Sequence, residues 1–187
     1  MRGQYSTKSD VFSFGVLIIE IVTGQRNNRP YLFEQNEDII STVWRRWSDG
    51  TVAKMIDHSL GKNYPEAEVL KCINIGLLCL QENPVNRPTM ADIMEQGRLK
   101  NELVLVAKLQ HKNLVRLVDV CLEEHDKMVI YEYMPNRSLD TILFDHASSL
   151  LDWGRRLKII HGIARHLQYL HEESRLKIIY RDLKTSK

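Results

Sequence analysis

Val11, Phe14, Val16, Leu17, Ile18, Ile19, Ile21 and Val22 form an apolar run that stops at Gly24. The pattern predicts a helix that is apolar almost all round. Such a helix belongs in the centre of a domain, because none of its faces is polar enough to meet water. Ser6, Thr7, Ser9 and Asp10 offer capping groups at its start, and Gly24 is a natural stop at its end.

A chain of 187 residues, 43% hydrophobic and 27% charged, can afford the core that such a helix needs. The net charge of +2 is too small to argue for nucleic-acid binding, and the basic residues are scattered among acids. Cys72, Cys79 and Cys121 are odd in number, sit in apolar runs and lack metal-ligand pairs. They read as reduced core thiols in a cytosolic setting. No stretch approaches the ~18 apolar residues of a membrane span, and Met1 to Tyr5 does not begin a signal peptide. The chain as given is therefore expected to be soluble and cytoplasmic, with no membrane segment and no nucleic-acid partner.

Further helices follow from spacing. Ile39, Ile40, Val43, Trp44 and Trp47 predict one over Glu37 to Trp47, with Gly50 after it. Pro65 suits the first turn of another, whose apolar face of Val69, Leu70, Ile73, Leu77, Leu78 and Leu80 ends before Pro84. Thr89 and Asp92 have capping-box spacing for a helix after Arg87-Pro88. A helix is expected from Asn101 to about Gln110. The runs Leu114 to Leu122 and Lys127 to Tyr133 flank Glu123-Glu124-His125-Asp126 and predict a β-hairpin, which alone is marginal in water.

Ser138 starts a short helix. Asp152 caps a long one through Glu173, with Leu157, Ile160, Ile163, Ala164, Leu167 and Leu170 on one stripe. His161, His166 and His171 stand five apart, which turns successive rings by ~140° on a helix, so they cannot face one ion together. They read as surface or packing histidines, and no metal site is expected.

The chain ends on Ile178-Ile179-Tyr180-Arg181-Asp182-Leu183-Lys184-Thr185-Ser186-Lys187. Its Arg-Asp pair, with a Lys two positions later, resembles the catalytic loop of a protein kinase. Ser9 to Val16 resembles the start of the buried helix under that loop. Arg87-Pro88-Thr89-Met90, the stretch Asn101 to Leu117 and the Tyr131 to Leu139 hinge region add further matches. Together they resemble plant receptor-like Ser/Thr kinases, with the cysteine-rich subgroup fitting best. The resemblance implies an α+β, protein-kinase-like fold: a mostly helical C-lobe with a partial N-lobe made of a regulatory helix and a β-hairpin.

The order of these segments is permuted. Residues 1–96 resemble the C-terminal part of the C-lobe, 97–134 a partial N-lobe up to the hinge, and 135–187 the first half of the C-lobe, ending in the catalytic loop. Glu95 to Lys100 would form the junction, and six residues reach at most ~20 Å. The join is expected to strain or displace the regulatory helix and leave 101–133 more loosely held than the helices around Val11 to Val22.

By resemblance, Asp182 takes the proton of the attacking substrate hydroxyl, Lys184 supplies positive charge near the transferred phosphoryl, and Arg181 completes the motif. Tyr131, Glu132 and Met134 belong to the hinge that meets adenine. Glu102 matches the carboxylate that pairs with a phosphate-positioning Lys, or is a solvated helix glutamate. Asp10 matches an aspartate that accepts hydrogen bonds from the backbone of the catalytic loop, or is a simple N-cap. Arg87 matches an arginine buried against a glutamate of an Ala-Pro-Glu triplet that the sequence does not contain. Losing such a partner costs about 3–5 kcal/mol, so Arg87 is expected to find water or another carboxylate.

Two loop positions depart from the pattern. Tyr180 replaces the usual His, and Lys187 stands where the family has the Asn that holds Mg²⁺; an ammonium cannot ligate a cation. The Gly-rich loop, the Val-Ala-Ile-Lys strand and the Asp-Phe-Gly motif do not occur among the 187 residues. ATP and Mg are the cofactors implied, and a protein substrate or a partner kinase the macromolecular partner. Family members are plasma-membrane receptors with a cytosolic kinase domain. Removing one electrostatic group from such a site raises the barrier by ~3–4 kcal/mol, so impaired or absent phosphoryl transfer is the expectation. The alternatives are an active Ser/Thr kinase, a pseudokinase-like protein-binding module and a truncated remnant without a function of its own.

Overall fold

The computed structural model describes residues 6–27, 38–61, 64–96, 117–122, 127–135, 138–144, 151–173, 179–180 and 183–186. The expected helix over 101–110, with Glu102, lies outside the described residues, as do Arg181, Asp182 and Lys187.

Helix α1, Thr7–Thr23, is the predicted central helix. Val11, Phe14, Ile18, Ile19, Ile21 and Val22 are each at most 1% exposed, which leaves no solvent face over its middle turns. Gly24 ends it at φ 67°, a left-handed conformation that only glycine adopts freely, and its N–H donates to Glu20 O at 2.9 Å. A side chain at that position would also run into the Asp57 carboxylate.

Helix α2, Ile39–Ser48, starts two residues after the expected Glu37, because Asp38 is the residue that caps it, accepting from Ser41 N at 2.8 Å. Short 3₁₀ turns follow at Val52–Met55 and His58–Leu60. Helix α3, Glu66–Cys79, begins just after Pro65, which sits outside the helix in an extended conformation rather than inside the first turn. It crosses α1 at two glycines: a Cβ on Gly15 would lie 2.8 Å from both Cys79 Cβ and the Gly76 carbonyl. Val69, Ile73 and Cys79 are fully buried against that crossing.

Helix α4, Met90–Gln96, opens with the capping box read from the sequence. Thr89 N donates to Asp92 Oδ2 at 2.8 Å, and Asp92 N donates back to Thr89 Oγ1 at 3.1 Å. Strands β1, Leu117–Leu122, and β2, Lys127–Tyr131, pair antiparallel as the predicted hairpin, with an irregularity between Leu117 and Asp119. The second strand stops two residues short of Tyr133, which is 86% exposed and followed by Met134 and Pro135.

Helix α5, Leu139–Leu143, follows Ser138 as expected. Helix α6, Trp153–Gln168, is capped by Asp152, whose side chain accepts from Arg155 N at 2.8 Å. The α-helix ends before Glu173: residues Tyr169–Glu173 form a π turn, so the last part of the predicted helix is wound more loosely. Of the stripe read by spacing, Ile160, Ala164, Leu167 and Leu170 are buried, whereas Leu157 and Ile163 are only partly so; Trp153, Arg156 and His171 are buried beside them.

Arg156 belongs to this buried face. It is 3% exposed, and its guanidinium donates to the Leu151, Ile21 and Asp57 side of the molecule at once: Nε to Leu151 O at 3.0 Å, Nη1 to Ile21 O at 2.8 Å, Nη2 to Asp57 Oδ2 at 2.6 Å. Nη2 also reaches Ser59 Oγ at 2.9 Å. A buried guanidinium is tolerated when its donors are met in this way. The end of α1, the turn at 57–59 and the start of α6 are thereby fixed to one another.

Candidate functional site

Asp10 lies in the first turn of α1 and is 1% exposed. A buried carboxylate needs donors, and two come from the other end of the chain. Tyr180 N donates to Asp10 Oδ2 at 2.7 Å, and His171 Nε2 shares the same oxygen at 2.8 Å. A carboxylate only accepts, so the His171 proton sits on Nε2. The residue immediately before Arg181-Asp182 is thus tied by its backbone to α1. The Tyr180 side chain turns outward, 38% exposed, with its ring edge-on to His166 at 5.9 Å between centroids.

Beyond Asp182, residues 183–186 alternate. Leu183 packs against the core and Thr185 is 7% exposed, while Lys184 and Ser186 face out. Thr185 is gripped on both sides. Its hydroxyl donates to Glu20 Oε2 at 3.2 Å, and its carbonyl accepts from Asp140 N at 2.9 Å. Glu20 is only 9% exposed, and its other oxygen accepts from Asn27 N at 2.9 Å. Burial pushes the Glu20 carboxyl above its usual range; the Asn27 N–H, the Thr185 hydroxyl and Arg26 work against that rise. Asp140 pairs with Arg26 at 3.2 Å, whose guanidinium also lies 4.8 Å over the Phe144 ring.

Among the described residues, Arg87 is met by carbonyl oxygens rather than by another carboxylate. Its Nε donates to Gln81 O at 2.7 Å, Nη1 to Lys8 O at 3.0 Å and Nη2 to Glu82 O at 3.2 Å. The cation also stacks 4.8 Å over Phe12. Three carbonyl oxygens and a ring face replace the carboxylate, because a guanidinium presents five donors and chain ends of helices offer unpaired carbonyls. Lys8 Nζ donates in turn to Arg87 O.

Of the remaining candidates, Glu132 and Met134 are exposed, Met134 by 48%. The Tyr131 backbone closes β2 opposite Leu117, while its side chain lies outside the described residues. Asp10 and Tyr180 therefore meet at the start of α1, Thr185 beside Lys184 meets Glu20 near its end, and the hinge residues do not join them in any described contact.

Three residues that the spacing did not single out hold this region together: His171, Glu20 and Arg156. His171 and Arg156 occupy the same 3-4 stripe as Trp153, Ile160, Ala164 and Leu167. A polar side chain on an apolar stripe is the signal that marks them. Among the described residues, no group of three or more His, Cys, Asp or Glu side chains is placed to hold a metal ion.

A buried helix anchoring the backbone beside an Arg-Asp-Leu-Lys loop is the arrangement of a protein kinase. The family description "Protein tyrosine and serine/threonine kinase" matches residues 1–97, and "Protein kinase domain" matches residues 94–187. The chain belongs to the protein kinase family. It is similar to cysteine-rich receptor-like protein kinase 10 of Oryza sativa subsp. japonica, 64% identical over 109 residues, which is 57% of this chain and 17% of that protein. Cysteine-rich receptor-like protein kinase 6 of the same organism is 61% identical over 107 residues, 57% of this chain and 15% of that protein. G-type lectin S-receptor-like serine/threonine-protein kinase B120 of Arabidopsis thaliana is 61% identical over 88 residues, 46% of this chain and 10% of that protein.

The chain thus spans less than a fifth of the length of these relatives. The family uses ATP and Mg and acts on proteins. Among the described residues, no helix is long and apolar enough to cross a membrane.

Proposed function

We propose that this chain carries the loop of a protein Ser/Thr kinase, held as an enzyme holds it, and transfers phosphoryl groups to protein hydroxyls poorly or not at all. Asp182 is the base for the acceptor hydroxyl, Lys184 the positive charge beside the transferred phosphoryl and Arg181 their neighbour in the motif. The observation that carries the reading is the 2.7 Å hydrogen bond from Tyr180 N to buried Asp10, which fixes the backbone one residue before Arg181.

The deficit lies in the groups that would face that base. The segments preceding Glu102 are α1 to α4, where a kinase would have its Gly-rich loop and phosphate Lys. Lys187 occupies the position of a metal-holding amide, and its ammonium repels a cation, so the residues present do not fit Mg²⁺. Phosphoryl transfer depends mainly on positioning and charge neutralisation, and the loss of several such groups leaves little catalysis even where their effects do not add. Tyr131, Glu132 and Met134 are the hinge that would meet adenine.

The test is the melting temperature with and without Mg-ATP, because a ligand bound by the native state alone must raise it. The expected result is no shift. A rise of several degrees at millimolar nucleotide overturns the proposed loss of the phosphate site.

A second reading, a kinase-like module that binds a partner kinase or its substrate, is favoured by the exposure of Tyr133 and Met134, 86% and 48%. Binding to a receptor-like kinase domain that weakens in Tyr133→Ser supports it; binding indifferent to that change removes it.

A further inference from the structure

Thr185 lies next to Lys184 and three residues after Asp182, yet it is the one residue among the described 183–186 that is buried, 7% exposed. A threonine buried in a loop rather than a helix or strand has to satisfy its own polar groups. Both are satisfied by distant elements: the hydroxyl by Glu20 near the end of α1, the carbonyl by the N–H of Asp140 in the first turn of α5.

Glu20 is costly where it stands, a carboxylate 9% exposed beside the apolar residues Leu17, Ile18, Ile19, Ile21 and Val22. What the carboxylate does there is accept from Asn27 N and from Thr185 Oγ1. The charged groups around it are Arg26, after the end of α1, and Asp140, on α5, and these two pair with each other. The Thr185–Glu20 and Asp140–Thr185 hydrogen bonds and the Arg26–Asp140 pair thus join α1, α5 and the loop.

We propose that the Glu20–Thr185 hydrogen bond is the pin that sets the position of the loop over α1, making Glu20 a positioning residue for Lys184. Leu183 and Thr185 are the two inward anchors, and Lys184 between them is exposed. Asp10 fixes the loop before Arg181, through Tyr180, and Glu20 fixes it after Lys184, so the two acids of α1 hold its two ends. The consequence for catalysis rests on the assignment of Asp182 and Lys184 above; the hold itself does not, and is measured without nucleotide or substrate.

The experiment is amide hydrogen exchange of the full 187-residue chain, comparing wild type with Thr185→Val, Thr185→Ser and Glu20→Leu. Val keeps the shape of Thr and removes the hydroxyl; Ser keeps the hydroxyl. Thr185→Val is expected to speed exchange in the peptides covering 138–144 and 183–186 by roughly tenfold, while α6 stays as in wild type. Thr185→Ser is expected to stay within about twofold of wild type. Glu20→Leu should match Thr185→Val in the loop, and if it does not fold the Val and Ser pair decides alone. Exchange unchanged in Thr185→Val, exchange equally fast in Thr185→Ser, or a rise shared by α6 overturns the proposal.

An inactive wild-type chain that shows this pattern leaves the pin standing and speaks only to the phosphate site. If the chain is active, Thr185→Val lowers kcat with KM for ATP unchanged.

Discussion

Arg156 and Asp57 meet through a 2.6 Å contact between Nη2 and Oδ2, with the arginine side chain 3% exposed and the aspartate 17%. The same guanidinium reaches Ile21 O and Leu151 O, so one side chain crosses three segments that are far apart in sequence. Arg156→Met keeps much of the volume and leaves Asp57 and two carbonyls without their donor. The expected cost is about 3–5 kcal/mol, or a fall in Tm of roughly 10 °C for a chain of this length. Urea or thermal unfolding followed by circular dichroism checks it.

Asp57 and Glu20 should give stability profiles of opposite slope with pH. Burial works to raise Asp57, but hydrogen bonds from Ser59 N and Arg156 outweigh it and hold the carboxyl below its usual 3.8. A folded value below the unfolded one means that its contribution is present above 3.8 and is lost as pH falls through the folded value. Glu20 is raised above 4.5, chiefly by burial, so its contribution is full below 4.5 and is lost as pH rises through the folded value. The stability gap between wild type and Asp57→Asn should therefore shrink below about pH 4. Against Glu20→Gln, wild type should lose ground as pH rises above 4.5.

Cys72 and Cys79 should be inert in the native protein. Burial pushes both thiols up to about 12, and Glu68 adds to the rise at Cys72. The thiolate is the nucleophile, so neither should react with a disulfide reagent at pH 8 until the chain is unfolded. Mass mapping after labelling in buffer and in urea reads this directly, with labelling of Cys79 in buffer as the contrary result.

Gly15→Ala should destabilise the α1–α3 crossing, because the added Cβ meets a backbone carbonyl and another Cβ, each at 2.8 Å, and neither can swing away. A cost of about 1–3 kcal/mol is expected for such overpacking. The control is Ser48→Ala at the exposed end of α2, which should change stability by no more than about 0.5 kcal/mol.

The helical frame was legible because its signals are local. Gly24, Thr89 with Asp92, Ser138 and Asp152 mark ends, and spacing of three and four marks faces. The candidate site was legible only in part. Asp10 stood out through the phrase around it, but its partner His171 was grouped with two other histidines by sequence interval, a measure that ignores what lies opposite each ring. Glu20 and Thr185 are separated by 165 positions, and no period or cap relates them. The carboxylate expected for Arg87 is not what meets it among the described residues, because the Gln81, Glu82 and Lys8 carbonyls lie within reach and spacing along the chain does not show that Lys8 stands opposite.

Asp10→Ala should release the loop at its other end. Tyr180 N and His171 Nε2 lose a shared acceptor, and a buried donor left without a partner costs about 1–3 kcal/mol. Faster exchange at 179–180, together with a fall in Tm, is the expected outcome.

The most direct measurement is transfer of labelled phosphate from Mg-ATP to a Ser/Thr-rich protein by the 187-residue chain, with Asp182→Asn as the blank. A preserved base facing an incomplete phosphate site predicts incorporation no greater than the blank. Incorporation at about 1 per second, abolished by Asp182→Asn, would contradict it.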